Sequence, residues 1–217
     1  MRRLAIDTAS DRLAVALCDN DQAPLVRSPD PRAAHTQLLV PTIDGLLAGT
    51  ATPEELVVVT GPGSYAGLRV GIATAEALAL GWGIPVRGVS TLEAVVTAAL
   101  ERGAALPIVA IHPAGRREFA VQRFTAEEAQ EPIRLVPYER LTEFREPLAG
   151  EGAGELGGLE VLPAERAVAA LRRAARGLAG STSAVYLREP HVTLTRARWW
   201  RERHGTRAPR TTEEDAS

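Results

Sequence analysis

Leu56-Val57-Val58-Val59 is the stretch that most narrows the fold. A strand with one wet face alternates apolar and polar residues, so an unbroken apolar run of this kind reads as a strand covered on both faces. Covering layers on both sides of a strand make the fold α/β. The chain has 217 residues, 45% of them hydrophobic, so it can bury a core as one compact unit or as two small lobes.

The pattern on either side of that strand is regular. Upstream, residues 4–6, 13–18 and a weaker segment at Leu25-Val26 read as a three-strand meander, with turns at Asp11-Arg12 and Asp19-Asn20-Asp21. Leu39, Ile43, Leu46 and Leu47 recur at helical spacing over 35–48, and Pro41 should remove one backbone bond and bend that helix near Gln37. Downstream come a helix over 64–80, a strand over 84–89 and a helix over 91–101. After Arg102-Gly103 the plan restarts, with strands at 108–111, 118–124 and 133–136, a short helix, a glycine-rich loop at 151–158 and a helix over 164–178. This predicts an N-terminal lobe over 1–102, a smaller divergent lobe over 103–200, and a disordered tail over 201–217, where no apolar pattern remains. The order resembles the actin-like ATPase and ribonuclease-H-like superfamily: two similar lobes, each a mixed sheet flanked by helices.

Composition removes several function classes. All 25 basic residues are arginine, so a Walker A phosphate loop, a Schiff-base enzyme and a protein-kinase site, each of which needs lysine, are excluded. A net charge of -2 argues against a surface that grips nucleic acid all over. Cys18 is the only cysteine, which rules out an internal disulfide. Asp7, Asp11, Arg12 and Asp19 interrupt every early apolar stretch, so neither a signal peptide nor a membrane span is expected, and the predicted location is cytoplasmic. His35 would need a second histidine one turn on to hold a metal, and that position is Leu39. His112, His191 and His204 share no ligand spacing, so no metal site is expected.

Two segments carry further information. From Val59 through Gly61-Pro62-Gly63-Ser64 the chain passes from strand end to helix start, with Ser64 placed as N-cap. The corner is either a capped turn or a seat for a phosphate on free N–H groups, with Arg69 at its mouth or paired to a carboxylate. Along the helix that follows, Gly67, Gly71, Ala75 and Ala79 form one ridge of small side chains. Mid-helix glycines each cost about 0.5–1 kcal/mol relative to alanine, so the ridge calls for a close-packed neighbour, either the chain's own sheet or a partner's helix. At the end of the first strand, Asp7-Thr8-Ala9-Ser10 stands where the superfamily carries aspartate, glycine and hydroxyls around a nucleotide phosphate. Ala9 takes the glycine's place; the alternative is a turn held by side-chain-to-backbone bonds.

The segments 4–9, 35–41, 61–71 and 83–92, above all Gly61-Pro62-Gly63-Ser64-Tyr65-Ala66-Gly67-Leu68-Arg69, are together similar to the bacterial TsaB (YeaZ) family. The second lobe departs from it, with His112 in place of an aspartate, and Ala66 and Gln37 replace a threonine and a glutamate. The resemblance implies a non-catalytic subunit that pairs with the transferase TsaD and works with the ATPase TsaE. TsaD places threonylcarbamoyl on adenosine 37 of tRNAs reading codons that begin with A. It implies self-association as well, both contacts being a helical bundle of the first two helices. On that basis His35, Leu38, Leu39, Gly67, Leu68, Gly71, Ala75 and Ala79 are expected at a partner interface. Asp7, Thr8, Ser10, Gly61, Gly63, Ser64 and Arg69 are expected as a vestigial phosphate site. The chain is expected to have no catalytic residue or cofactor of its own, ATP and metal residing on partner subunits, and to meet tRNA only through the complex. The alternatives are a small-molecule kinase or a nuclease of the same fold.

Overall fold

The computed structural model describes residues 1–20, 22–29, 35–129 and 131–187, so the predicted tail over 201–217 lies outside the described residues. The first half contains β1 (Arg2–Asp7), β2 (Ala14–Asp19), β3 (Leu25–Arg27), α1 (His35–Leu47), β4 (Glu55–Val59), α2 (Tyr65–Trp82), β5 (Val86–Val89) and α3 (Thr91–Glu101). The second contains β6 (Ile108–Pro113), β7 (Glu118–Phe124), β8 (Arg134–Pro137), a 3-10 turn (Tyr138–Glu143), β9 (Leu148–Gly150), β10 (Leu159–Glu160) and α4 (Pro163–Ala175). α1 runs unbroken through Pro41, whose side chain is exposed. No helix of the described residues is long and apolar enough to cross a membrane.

Two five-stranded sheets repeat one plan. In the first the order is β3-β2-β1-β4-β5; in the second, read from the other edge, it is β8-β7-β6-β9-β10. Each opening strand is antiparallel to the next (β1 to β2, β6 to β7) and parallel to the strand on its other side (β1 to β4, β6 to β9). The chain is therefore an actin-like, ribonuclease-H-like α/β fold of two similar lobes.

β4 explains its own composition. Leu56 and Val58 pack with Leu39, Ile43 and Leu46 of α1 and Ala75 and Ala79 of α2, whereas Val57 and Val59 face the opposite layer. That layer is α3 and α4, and the helices are exchanged. α3, which follows the first sheet, packs on β6 and β9 of the second, while α4, which follows the second, packs on β1, β2 and β4 of the first. The one charged residue in β4, Glu55, is buried between Arg3 at 2.5 Å and Arg87 at 2.8 Å. After α4 the chain returns along the first lobe. Gly180 pairs with Gly88, and Val185 N–H donates to the Thr60 carbonyl at 2.8 Å. A Cβ on Gly88 would lie 1.9 Å from the Ser181 carbonyl oxygen, so glycine is what admits this strap.

Candidate functional site

The ends of β1, β6 and β9 converge on a fully buried arginine. Arg166, on α4, donates from Nε to Asp7 Oδ2 at 2.7 Å, from Nη1 to Glu151 Oε2 at 2.9 Å and from Nη2 to Ser10 Oγ at 3.2 Å. Burial alone would lower the pKa of this guanidinium, but the Asp7 and Glu151 carboxylates outweigh it and raise the value above the ordinary one. Asp7, also fully buried, gives its other oxygen to the Ala9 N–H at 2.9 Å.

Beside this pair lies His112, which follows Ile111 on β6 as Asp7 follows Ile6 on β1. Its Nε2 is 3.3 Å from the Ala9 carbonyl, an acceptor, so Nε2 carries the proton. Nδ1 is then a lone pair without a partner among the described residues, 3.9 Å from Glu151 Oε2. Desolvation, aided by the Arg166 charge, pushes the His112 pKa down to about 3. The unfolded chain takes up this proton near pH 6.5 and the folded one does not. Stability contributed here is therefore complete above pH 6.5 and lost as pH falls towards 3. The expected slope is up to about 1.4 kcal/mol per pH unit. Melting temperature measured from pH 7 to 4 should fall less steeply for His112→Asn than for the native chain; parallel profiles would show that His112 does not set the slope.

Apart from Arg69, the residues expected around a phosphate do meet, but their polar groups are taken up by bonds within the protein. Thr8 Oγ1 donates to the Gly67 carbonyl at 2.8 Å, and Ser10 Oγ donates to the Arg12 carbonyl at 3.3 Å. Ser64 caps α2 by accepting from Gly67 N–H at 3.3 Å, while its own N–H donates to the Ala9 carbonyl at 2.6 Å. Gly63 lies so close to that carbonyl that a Cβ would stand 2.3 Å from its oxygen, and Gly61, at φ +102°, passes between Leu68 and Val185. Arg69 stands apart on the exposed side of α2, bonded to Tyr65 Oη at 3.2 Å. The fold family implies a metal-bound nucleotide at this corner, and these residues do not fit one: Arg166 occupies the Asp7 carboxylate, and the Ala9 carbonyl occupies the helix start where a phosphate oxygen would sit.

The expected partner ridge is corrected by the structure. Leu39, Gly67, Leu68, Gly71, Ala75 and Ala79 are all buried within this chain, and only His35 and Leu38 of that set are partly exposed. The close neighbour that the glycines admit is the turn after β1. A Cβ on Gly67 would fall 2.1 Å from the Thr8 carbonyl oxygen, and one on Gly71 would fall 2.1 Å from Thr8 Oγ1. What α1 and α2 turn outward is a different set: Val40, 55% exposed, and Leu80, 86% exposed, with Ala66, Ala73 and Ala77. Ala66, Ala73, Ala77 and Leu80 share a face at helical spacing, a signal present in the sequence but overshadowed by the glycines. Between the lobes, above Arg166 and His112, lies a cleft of about 530 Å³, with the Tyr65 and Tyr186 rings 4.8 Å apart at its mouth.

A family model described as TsaD, tRNA N6-adenosine threonylcarbamoyltransferase, matches residues 30–151. The tRNA threonylcarbamoyladenosine biosynthesis protein TsaB of Escherichia coli is 37% identical over 51% of this chain and 49% of its own length. Its Haemophilus influenzae counterpart is 33% identical over 58% and 55%. Among solved structures, YeaZ from Pseudomonas aeruginosa superimposes with a TM-score of 0.68 at 25% identity, covering 86% of this chain and 99% of that one. The chain belongs to this family, on its TsaB (YeaZ) branch. It spans about half the length of the curated TsaB relatives it matches. The stretch shared with the TsaD model takes in α1, α2, His112 and Glu151 but neither Asp7 nor Arg166, so the buried ion pair lies outside it.

Proposed function

We propose that this chain acts in tRNA threonylcarbamoyladenosine biosynthesis as the non-catalytic partner subunit of a TsaD-type transferase. TsaD, assisted by the ATPase TsaE, modifies adenosine 37 of tRNAs that read codons beginning with A. The observation that carries the non-catalytic part is the Asp7–Arg166 pair: at 2.7 Å and with both side chains fully buried, it leaves Asp7 no role toward a metal or a phosphate. A kinase or a nuclease of this fold would need that carboxylate free. The names of the TsaB relatives support the pathway. The outward apolar face of α1 and α2 supports a partner, because Leu80 and Val40 stay 86% and 55% exposed among the described residues. On this reading ATP and metal belong to the partner subunits, tRNA is met through the complex in the cytoplasm, and the same face serves a homodimer when TsaD is absent.

Size-exclusion chromatography with light scattering, on the chain alone and mixed with TsaD of the same organism, tests the reading. A mixed complex is expected, lost on Leu80→Arg without any change in melting temperature, because that side chain is 86% exposed. Native-like co-elution of the variant would remove the α1–α2 face from the contact. No complex of the native chain, with TsaE and ATP also supplied, would overturn the partner role itself.

A further inference from the structure

The inter-lobe cleft has a one-sided chemistry. Among the described residues, the charged side chains lining it are Asp11 and Glu151, both acidic. Glu151 gives Oε2 to Arg166 and keeps Oε1 outside any hydrogen bond among the described residues. His112 presents Nδ1 as a buried lone pair with no donor among the described residues. Of the donors at the start of α2, Ser64 N–H is bonded to the Ala9 carbonyl and Gly67 N–H to Ser64 Oγ. The cleft therefore offers acceptors and negative charge, and it calls for a ligand rich in N–H groups and positively charged.

At the mouth, the Tyr65 ring already carries the Arg69 guanidinium 5.5 Å from its centroid, and Tyr186 beside it adds a ring face of the kind that attracts a cation within about 6 Å. A volume of about 530 Å³ suits a small organic group. A bare metal ion fits less well, because among the described residues no three His, Cys, Asp or Glu side chains are grouped as metal ligands. An anion would face both carboxylates.

We propose that this cleft binds a primary ammonium group, seated between Glu151, Asp11 and the His112 lone pair with its alkyl chain against the two tyrosines. Two sources share that chemistry: a free aliphatic polyamine, and the side chain of a lysine on another protein, a residue type this chain lacks. The site stands on the cleft's own residues and does not depend on the partner role.

Titration of the full-length, isotope-labelled chain with n-butylammonium, followed by NMR at His112 and Tyr186, tests it. Saturable shifts are expected with butylammonium and none with n-butanol, its uncharged counterpart. Asp11→Asn and Glu151→Gln should each weaken binding about tenfold, the worth of one charge-assisted contact. Glu151→Gln also loosens Arg166, so the exposed Asp11→Asn decides if the Glu151 variant does not fold. The absence of saturation, equal shifts from butanol, or indifference to the folded carboxylate variants would overturn the proposal. Putrescine and Nα-acetyl-lysine methylamide separate the sources: tighter binding of the first points to a free polyamine, and of the second to a partner's lysine.

Discussion

Replacing Arg166 by methionine is expected to destabilise the protein by about 3–5 kcal/mol, the usual loss when one member of a buried ion pair is removed. Asp7 is fully buried and would keep its charge's desolvation cost without the guanidinium at 2.7 Å. Glu151, partly exposed, can still reach solvent. Most of the loss should therefore belong to Asp7, and adding Asp7→Asn to Arg166→Met should recover about 2 kcal/mol or more of it in a double-mutant cycle read by urea unfolding. Arg166→Lys should rescue little, because a single ammonium cannot serve Asp7, Glu151 and Ser10 along three directions as the planar fork does. Additive single variants would show that the pair is not coupled.

Gly71→Leu is expected to cost at least about 3 kcal/mol by overpacking and by displacing Thr8. Even a Cβ at that position meets Thr8 Oγ1 at 2.1 Å, and the same hydroxyl bonds the Gly67 carbonyl at 2.8 Å. The substitution attacks the corner that holds β1 to α2. Ala73→Leu, on the exposed side of the same helix, should stay within about 0.5 kcal/mol of the native chain. Thermal unfolding of the two variants separates a packing ridge from a docking ridge: a Gly71→Leu chain that melts normally yet fails to bind TsaD would restore the ridge to the interface.

Local periodicity carried much of the fold. The helix over 91–101 and the strand over 118–124 have the limits their patterns suggest, and the apolar run at 56–59 is indeed covered on both faces. The site was less legible, because its partners are far apart in the chain. Arg166 lies 159 residues from Asp7, and no local pattern joins them. A trace of it does exist: on α4, Arg166 and Arg173 fall in phase with the apolar stripe Ala167, Ala170, Leu171 and Ala174, and an arginine on the buried face of a helix needs a buried carboxylate. The glycine ridge was read correctly as a place of close approach, but what approaches is a turn 59 residues upstream, contributed by Thr8. Glu151 sat in a glycine-rich stretch that reads as a loop, so nothing marked it as a member of the site.

The exchange of α3 and α4 between the sheets bears on how the chain is made. While the ribosome has delivered only the first hundred or so residues, the face of the first sheet formed by Ala5, Ala14, Ala16, Val57 and Val59 has no α4 to cover it, and α3 has no second sheet to rest on. The amino-terminal lobe is therefore not a foldon of its own. It is completed from the second half of the described residues, and cooperative closure awaits the emergence of α4 and the strap beyond it.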